Sequence, residues 1–412
     1  MCSYDGCNNA TTGMDQGELP LELTRFRAAV LSDAQLQASL VDCKSTDSFV
    51  ARAMAEAGRR GFSLEEHDLR KAIRPDPIGA SRWLDAPPSL VTPPHGWLPV
   101  NVLPSRGEFC VDWVYFGDHP LTEPFFEDSL RVAMWLPLNK FARYRTRLAD
   151  LAHCVAQQAA LPPSGFIFHM SRCGSTLASQ MLASDPRNVV ISEAAPIDTV
   201  VRLRVEDTPA AAEAHATLLK AMVGALTQRR RDVQVRSFVK LDSWHTLALP
   251  LFRRAFPDVP WVFLYREPSE VLASQMYQRG IQTLPEFLPS SLFGITDDDA
   301  QDSDAYCARV LNATCAAVIE PYAAGGGLLV NYRELPSVVW MKILPHFGIE
   351  VTADTRERMT ATARFNAKEP SMLFSGDDAE KRQLQTDSLR ELAEHCIGDV
   401  YRRLEMLNAA RG

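Results

Sequence analysis

From Gly165 onward, short apolar runs alternate with stretches of helix length, and this alternation constrains the fold more than any other feature of the chain. "GFIFH", "NVVIS", "VRSFVKL", "PWVFLY" and "GLLVNY" are β-prone, and the intervals between them are long enough for crossover helices. Strands joined this way lie parallel with helices on both faces, so the expected fold class is α/β, a three-layer, mainly parallel sheet. Ligands in such sheets gather at the carboxyl ends of the strands. Those ends carry Arg172, Glu193, Lys240, Asp242, Arg266 and Tyr332.

The first run leads into a loop with its own chemistry. In "FIFHMSRCGSTLASQML", Phe166 to His169 read as strand, and Leu177, Met181 and Leu182 recur at helical spacing. Between them, Gly174 lets backbone approach a ligand closely. The helix that follows opens with unpaired N–H groups and the positive end of its dipole, which together bind phosphate-like anions. Arg172 adds a permanent cation, and Ser175 and Thr176 add hydroxyl donors. An ordinary βα turn, with Ser and Thr capping the helix, accounts for the same residues without a ligand. A nucleoside-triphosphate loop requires Gly, four residues, Gly, Lys and then Ser or Thr. Here His169 stands where the first glycine belongs and Ser175 where the lysine belongs, which weakens a nucleotide-kinase reading.

Composition narrows the choice further. The 412 residues are 46% hydrophobic, enough for a large core, and the formal charge of −8 argues against a nucleic-acid binder held mainly by phosphate contacts. Nine cysteines show no metal-type spacing and read as reduced thiols of a cytoplasmic protein. The N-terminus lacks the basic start and apolar run of a signal peptide, and no stretch suggests a membrane span. Asp112, Asp118 and His119 lack paired or helical spacing and read as surface and turn residues, so no metal is expected.

Along the chain, residues 1–20 read as a disordered start. Residues 21–73 carry apolar positions at Leu23, Phe26, Val30, Leu36, Leu40, Phe49, Ala53, Ala57, Phe62, Leu64 and Leu69, a pattern that fits two or three short amphipathic helices. "LTRFRAAVLSDAQLQASL" followed by "FVARAMAEAGRRGFSLEEHDL" resembles the Nif-eleven-like helical domain, which implies a docking or packing element with a possible protein or peptide partner. Prolines make 74–104 a connector without regular helix; 105–150 is an aromatic-rich segment of strands or cover, and 151–412 is the domain of alternating apolar runs, which the resemblance given next implies to be catalytic.

Two segments of that domain resemble the sulfotransferase family. Its first motif, a strand followed by a basic residue, a small residue, Gly and two hydroxyl residues, matches Arg172, Cys173, Gly174, Ser175 and Thr176. Its second, a strand ending in Arg with Pro and Ser beyond, matches Arg266, Pro268 and Ser274 in "WVFLYREPSEVLASQM", about 90 residues later. The resemblance implies 3′-phosphoadenosine 5′-phosphosulfate as donor and no metal. Residues 172–176 would hold the 5′-phosphosulfate and Arg266 with Ser274 the 3′-phosphate. Tyr332, in "LLVNYREL", would approach the adenine. Arg364, Lys368 and Lys381 stand where the family has a further basic cluster.

The reading is therefore an enzyme, a sulfotransferase moving a sulfuryl group to a hydroxyl or amine of a small molecule or peptide. Arg172, which does not deprotonate, would stabilise charge, and Lys240 would bridge phosphate and sulfuryl oxygens or else pair with Asp242. Glu193 is the first choice of base and His245 the second. Arg229 to Arg231 read as a solvated helix end, and Arg266 could instead pair with Glu267 or Glu270. A nucleotide- or peptide-binding adaptor and an atypical ATP-dependent small-molecule kinase are the alternatives.

Overall fold

The computed structural model describes residues 20–74, 92–105, 107–156, 158–296, 302–369, 371–373 and 385–410. Nearly all of the expected disordered start, most of the connector and Lys381 lie outside them. The chain forms two compact units, one of residues 1–79 with Leu136–Ala142, the other of the remainder.

In the first unit the helices are Leu21–Ser32, Ala34–Val41, Thr46–Arg59, Glu66–Ala72 and Pro137–Phe141. Residues 21–73 thus hold four helices rather than two or three. Asp33 separates the first two without a loop, because its carboxylate takes the N–H groups of Gln35 and Leu36 and starts a new helix. Ser45 and Ser48 cap the third helix reciprocally. Leu23, Phe26, Val30, Leu36, Leu40, Phe49, Ala53, Ala57 and Leu69 are all buried, as their periodicity demands. Phe141, which comes from far along the chain, has its ring 5.9 Å from Phe26 and 5.8 Å from Phe49.

Among the described residues the second unit contains two sheets. β1 (Trp97–Ser105), β2 (Glu108–Tyr115) and β3 (Tyr144–Arg147) run antiparallel in that order. β1 begins inside the stretch expected as connector. Its prolines are tolerated because it is an edge strand whose register slips between Pro99 and Asn101. Asp112 and Arg145 form a buried two-point ion pair across β2 and β3, with N–O distances of 2.6 and 2.9 Å, and His119 pairs with Glu123, 2.9 Å away. Asp112 is therefore a buried strand residue rather than the surface or turn residue expected, because the Arg145 guanidinium satisfies its carboxylate.

β4 (Pro163–His169), β5 (Asn188–Ser192), β6 (Arg236–Lys240), β7 (Trp261–Tyr265) and β8 (Gly327–Asn331) form a wholly parallel sheet in the order β5-β6-β4-β7-β8, so the fold is α/β as expected. Phe166 and Phe168, two residues apart on β4, share a face with Phe252, Phe256 and Trp261 at ring separations of 5.1 to 6.1 Å. The chain leaves β4 toward the β5 edge and leaves β7 toward the β8 edge. The crevice between β4 and β7 is therefore a topological switch point, where such sheets bind ligands. Among the described residues no helix is long and apolar enough to cross a membrane.

Two glycines test this packing in opposite directions. A Cβ on Gly165 would lie 2.5 Å from the Phe347 ring, whereas one on Gly58, within the Thr46–Arg59 helix, would meet nothing within 4 Å. Gly165→Ala should therefore lose about 1–3 kcal/mol in denaturant unfolding, while Gly58→Ala should gain roughly 0.5–1 kcal/mol. Equal effects at both positions would contradict the packing of β4 on Phe347.

Candidate functional site

At the end of β4 the chain turns through three residues in the left-handed region, Ser171 (φ 79°), Arg172 (51°) and Gly174 (79°). Two of these are not glycine and cost of order 1–3 kcal/mol each, so the surroundings must hold them. His169 does part of this. Its Nε2 lies 2.9 Å from the Leu241 carbonyl, which makes Nε2 the donor, and its Nδ1 then accepts the Ser171 N–H at 3.0 Å. The Ser171 hydroxyl accepts from Gln275 (3.2 Å) and Gln282 (3.1 Å). The residue at the place of a nucleotide loop's first glycine is thus a buried strut for the turn.

The Ser175–Ala183 helix that follows has Gly174 at its N-cap, with no side chain capping it. Ser175 and Thr176 lie inside the first turn and do not cap it. The first N–H groups of a helix and the positive end of its dipole favour an anion. Cys173 is fully buried and its thiol donates to the Leu264 carbonyl at 3.1 Å. Burial pushes that thiol up to about 12, so it is no nucleophile, and only the backbone of Cys173 is placed to meet a ligand.

Tyr332 and Arg266, singled out separately from sequence, meet at this loop. A Cβ on Gly174 would fall 2.4 Å from Leu335 and 3.0 Å from the Tyr332 ring, so glycine is required for contact as well as for its φ. The Arg266 guanidinium stacks on that same ring, 4.1 Å from its centroid, while its Nε donates to Glu270 at 2.6 Å. Arg266 thus has the carboxylate partner that an unliganded surface arginine would take, and an aromatic face besides. Arg172 donates to the backbone and side-chain oxygens of Gln278, one turn beyond buried Ser274 on the Pro268–Tyr277 helix. Arg364 and Lys368 sit beyond the Ala353–Thr362 helix.

A second cluster lies along the ends of β5 and β6. Lys240 is fully buried and its ammonium meets the Glu193 carboxylate, not Asp242, with the Phe125 ring 5.2 Å away. Glu193 (φ 54°) also faces His169 Nε2 at 3.4 Å. Burial would push its carboxyl up, but the Lys240 charge and His169 overcome this and hold it down at about 2. A carboxylate held there is a weak proton acceptor, which counts against Glu193 as base.

Asp242, two residues past Lys240, behaves in the opposite way. Burial pushes it up to about 7, with Glu193 and Asp198 adding to the rise and His245 and Lys240 opposing it. His245 is buried between two carboxylates: Nε2 is 3.0 Å from Asp198 Oδ1, and Nδ1 is 3.8 Å from Asp242 Oδ2. Asp198, Asp242 and His245 offer ligand atoms within 4.8 Å of one another, close enough for a metal. Asp198, however, already takes the Trp244 indole N–H at 2.6 Å and Arg202 at 3.1 Å, so donors rather than a cation occupy its oxygens. Arg230 corrects the expected solvated run, since it is buried against the carbonyls of Gly117 and His119.

No family model and no curated protein matches the chain. Among solved structures it is similar to the sulfotransferase domain from the curacin biosynthetic pathway (14% identity, TM-score 0.36, covering 60% of this chain and 98% of that one). It is also similar to the sulfotransferase domain of the Synechococcus PCC 7002 olefin synthase (15%, TM-score 0.33, 56% and 95%). A third likeness is to the sulfotransferase STF9 from Mycobacterium avium (13%, TM-score 0.34, 59% and 79%). At these scores the likenesses carry no argument, and the functional reading rests on the residues.

The two carboxylates give separable expectations. Lys240→Met strands the Glu193 carboxylate and should cost about 3–5 kcal/mol, partly recovered by adding Glu193→Gln. No recovery in that double variant would dismiss the ion pair. For Asp242, a folded pKa raised above the ordinary 3.8 means that the folded state holds the proton more tightly. Its contribution therefore falls as pH climbs from about 4 to 7. Asp242→Asn removes that slope, so its melting temperature relative to wild type should rise between pH 5 and 8, whereas a constant difference would refute the shift.

Proposed function

We propose that the protein is a sulfotransferase that moves a sulfuryl group from 3′-phosphoadenosine 5′-phosphosulfate to a hydroxyl or amine acceptor. One observation carries this reading. The two anion-binding segments and Tyr332, singled out separately along the sequence, adjoin one another at the β4/β7 switch point: Gly174 packs on Tyr332 and Tyr332 stacks on Arg266.

The residues present suit such a donor. The helix start at Ser175 has no side-chain cap, and Arg172 and Arg266 supply charges that do not deprotonate. The donor supplies the group that is transferred. In this reading the first-turn N–H groups with Ser175 and Thr176 take the 5′-phosphosulfate oxygens, Arg266 with Ser274 takes the 3′-phosphate, and Tyr332 lies beside the base. Lys240, fixed by Glu193, places a positive charge at the end of β6 and favours negative charge developing nearby. The turn that presents the first-turn N–H groups is braced in advance by His169 and by the contacts of Ser171 with Gln275 and Gln282.

Two measurements test the reading. Arg266→Ala should weaken adenosine 3′,5′-bisphosphate roughly ten- to a hundredfold more than adenosine 5′-phosphate in calorimetry, as expected for loss of one charge-assisted contact. Equal losses for both nucleotides would remove the 3′-phosphate assignment. Incubation with sulfur-labelled donor and a panel of hydroxyl and amine acceptors should release the bisphosphate. Binding without release would instead favour an adaptor, and magnesium-dependent consumption of ATP a kinase.

A further inference from the structure

We propose that Asp242 is the proton acceptor of this site and that His245, held by Asp198, is the positioning residue that shares its proton. The proposal deepens the sulfotransferase reading and rests on it for the identity of the substrate, but the acid–base cluster itself stands on geometry.

Asp242 leaves the carboxyl end of β6 next to the β4 loop, since Leu241 donates to the Ile167 carbonyl and accepts from His169. It is the first carboxylate past Lys240, and Lys240 already has its partner in Glu193. What faces Asp242 is the imidazole of His245. That ring is 1% exposed, and its Nδ1 has no hydrogen-bond partner among the described residues. Its Nε2 meets Asp198 Oδ1, an oxygen that also accepts the Trp244 indole N–H, while Arg202 holds the other Asp198 oxygen.

These contacts fix the direction of the protons. An ionised Asp198 surrounded by donors accepts from Nε2, so Nε2 carries hydrogen. Nδ1 then either presents a lone pair to Asp242 or donates a proton to it. A bare lone pair opposite an ionised carboxylate, both buried, is repulsive and leaves each atom unsatisfied, at a cost of about 1–3 kcal/mol. One proton between Nδ1 and Oδ2 removes that cost, and the 3.8 Å gap is short enough for a small side-chain rotation to close it. The unprotonated pair therefore takes up a proton readily, in a buried setting bounded by Glu193, Lys240, Asp198 and Arg202. Burial of Asp242 moves its titration toward neutrality, where a general base works best.

In the step assigned to it, the acceptor's O–H or N–H bond breaks. The electron pair stays on the acceptor atom and forms its bond to sulfur, while the bond from sulfur to the 5′-phosphate oxygen breaks and its pair leaves with adenosine 3′,5′-bisphosphate; the proton passes to the Asp242 carboxylate. His245, charged while Nδ1 holds the shared proton, is balanced by Asp198 on its far side. Glu193 is left to keep Lys240 in place.

Nitrogen-15 histidine NMR on the full chain reads the cluster without any assumption about substrate. The His245 ring signal, identified by its disappearance in His245→Gln, should change with pH in step with a neutral-range proton shared with Asp242. That step should vanish in Asp242→Asn and be altered in Asp198→Asn. An unchanged pH response in both variants would overturn the proposal. Should Asp242→Asn not fold, the Asp198→Asn spectrum decides alone. In turnover, Asp242→Asn should lower kcat about 100-fold or more with bisphosphate affinity intact, while His245→Gln should lower it less and shift the pH profile. Wild-type kcat in Asp242→Asn would sink the assignment while leaving the donor site untouched. A wild-type protein that neither binds the bisphosphate nor uses the donor would instead sink the sulfotransferase reading, with the NMR result still deciding the cluster.

Discussion

Everything at the candidate site depends on β4 being hydrogen-bonded on both sides, to β6 and to β7, while the chain leaves it in one direction and leaves β7 in the other. A strand so placed is fixed by ladders on both edges and by aromatic packing of Phe166 and Phe168. The turn after it can therefore afford left-handed residues that an edge strand would relax. His169 transmits that rigidity. It reaches across to Leu241 after β6 and holds Ser171 from below, so the β4 loop and the β6 loop that carries Asp242 are set by one imidazole.

Electrostatics then divides the buried groups by what each one faces. Glu193 and Asp242 follow neighbouring strands and are both acids, yet one is pressed toward permanent ionisation by Lys240 while the other is pressed toward neutrality by burial. Two titratable groups driven apart by their surroundings are what an acid–base site requires. The same division explains why no single carboxylate serves both as counterion and as base.

The sheet was legible because all five apolar runs are short, β-rich and separated by helix-length intervals, and each became a strand of β4 to β8. The strand–loop–helix at Gly174 was legible because its apolar run, glycine and helical spacing are contiguous, whereas the adjoining of Arg266, Tyr332 and Gly174 needed the sheet order, in which β4, β7 and β8 are successive neighbours. The partners of the buried charges were not legible. Lys240 lies 47 residues from Glu193, and His245 lies 47 from Asp198, distances over which spacing carries no signal and only the packed sheet decides. Asp242 was visible as an acid at the active edge, but nothing in "KLDSWH" tells which of Lys240 and His245 it will face. The prolines of β1 misled for a related reason, since only the sheet order reveals that strand as an edge.

The short helix Pro137–Phe141 places a constraint on the order in which the chain can mature. Its Phe141 ring completes the packing of Phe26 and Phe49, yet it is made only after β1 and β2 have been synthesised. At roughly 5–20 residues per second, the N-terminal helices wait several seconds on the ribosome for the piece that closes their core. During that interval an apolar surface on Phe26 and Phe49 stays open to whatever is nearby. The two units are consequently interleaved in time as well as in sequence, and transplanting the helical unit into another protein would take two excisions and a new join rather than a single cut.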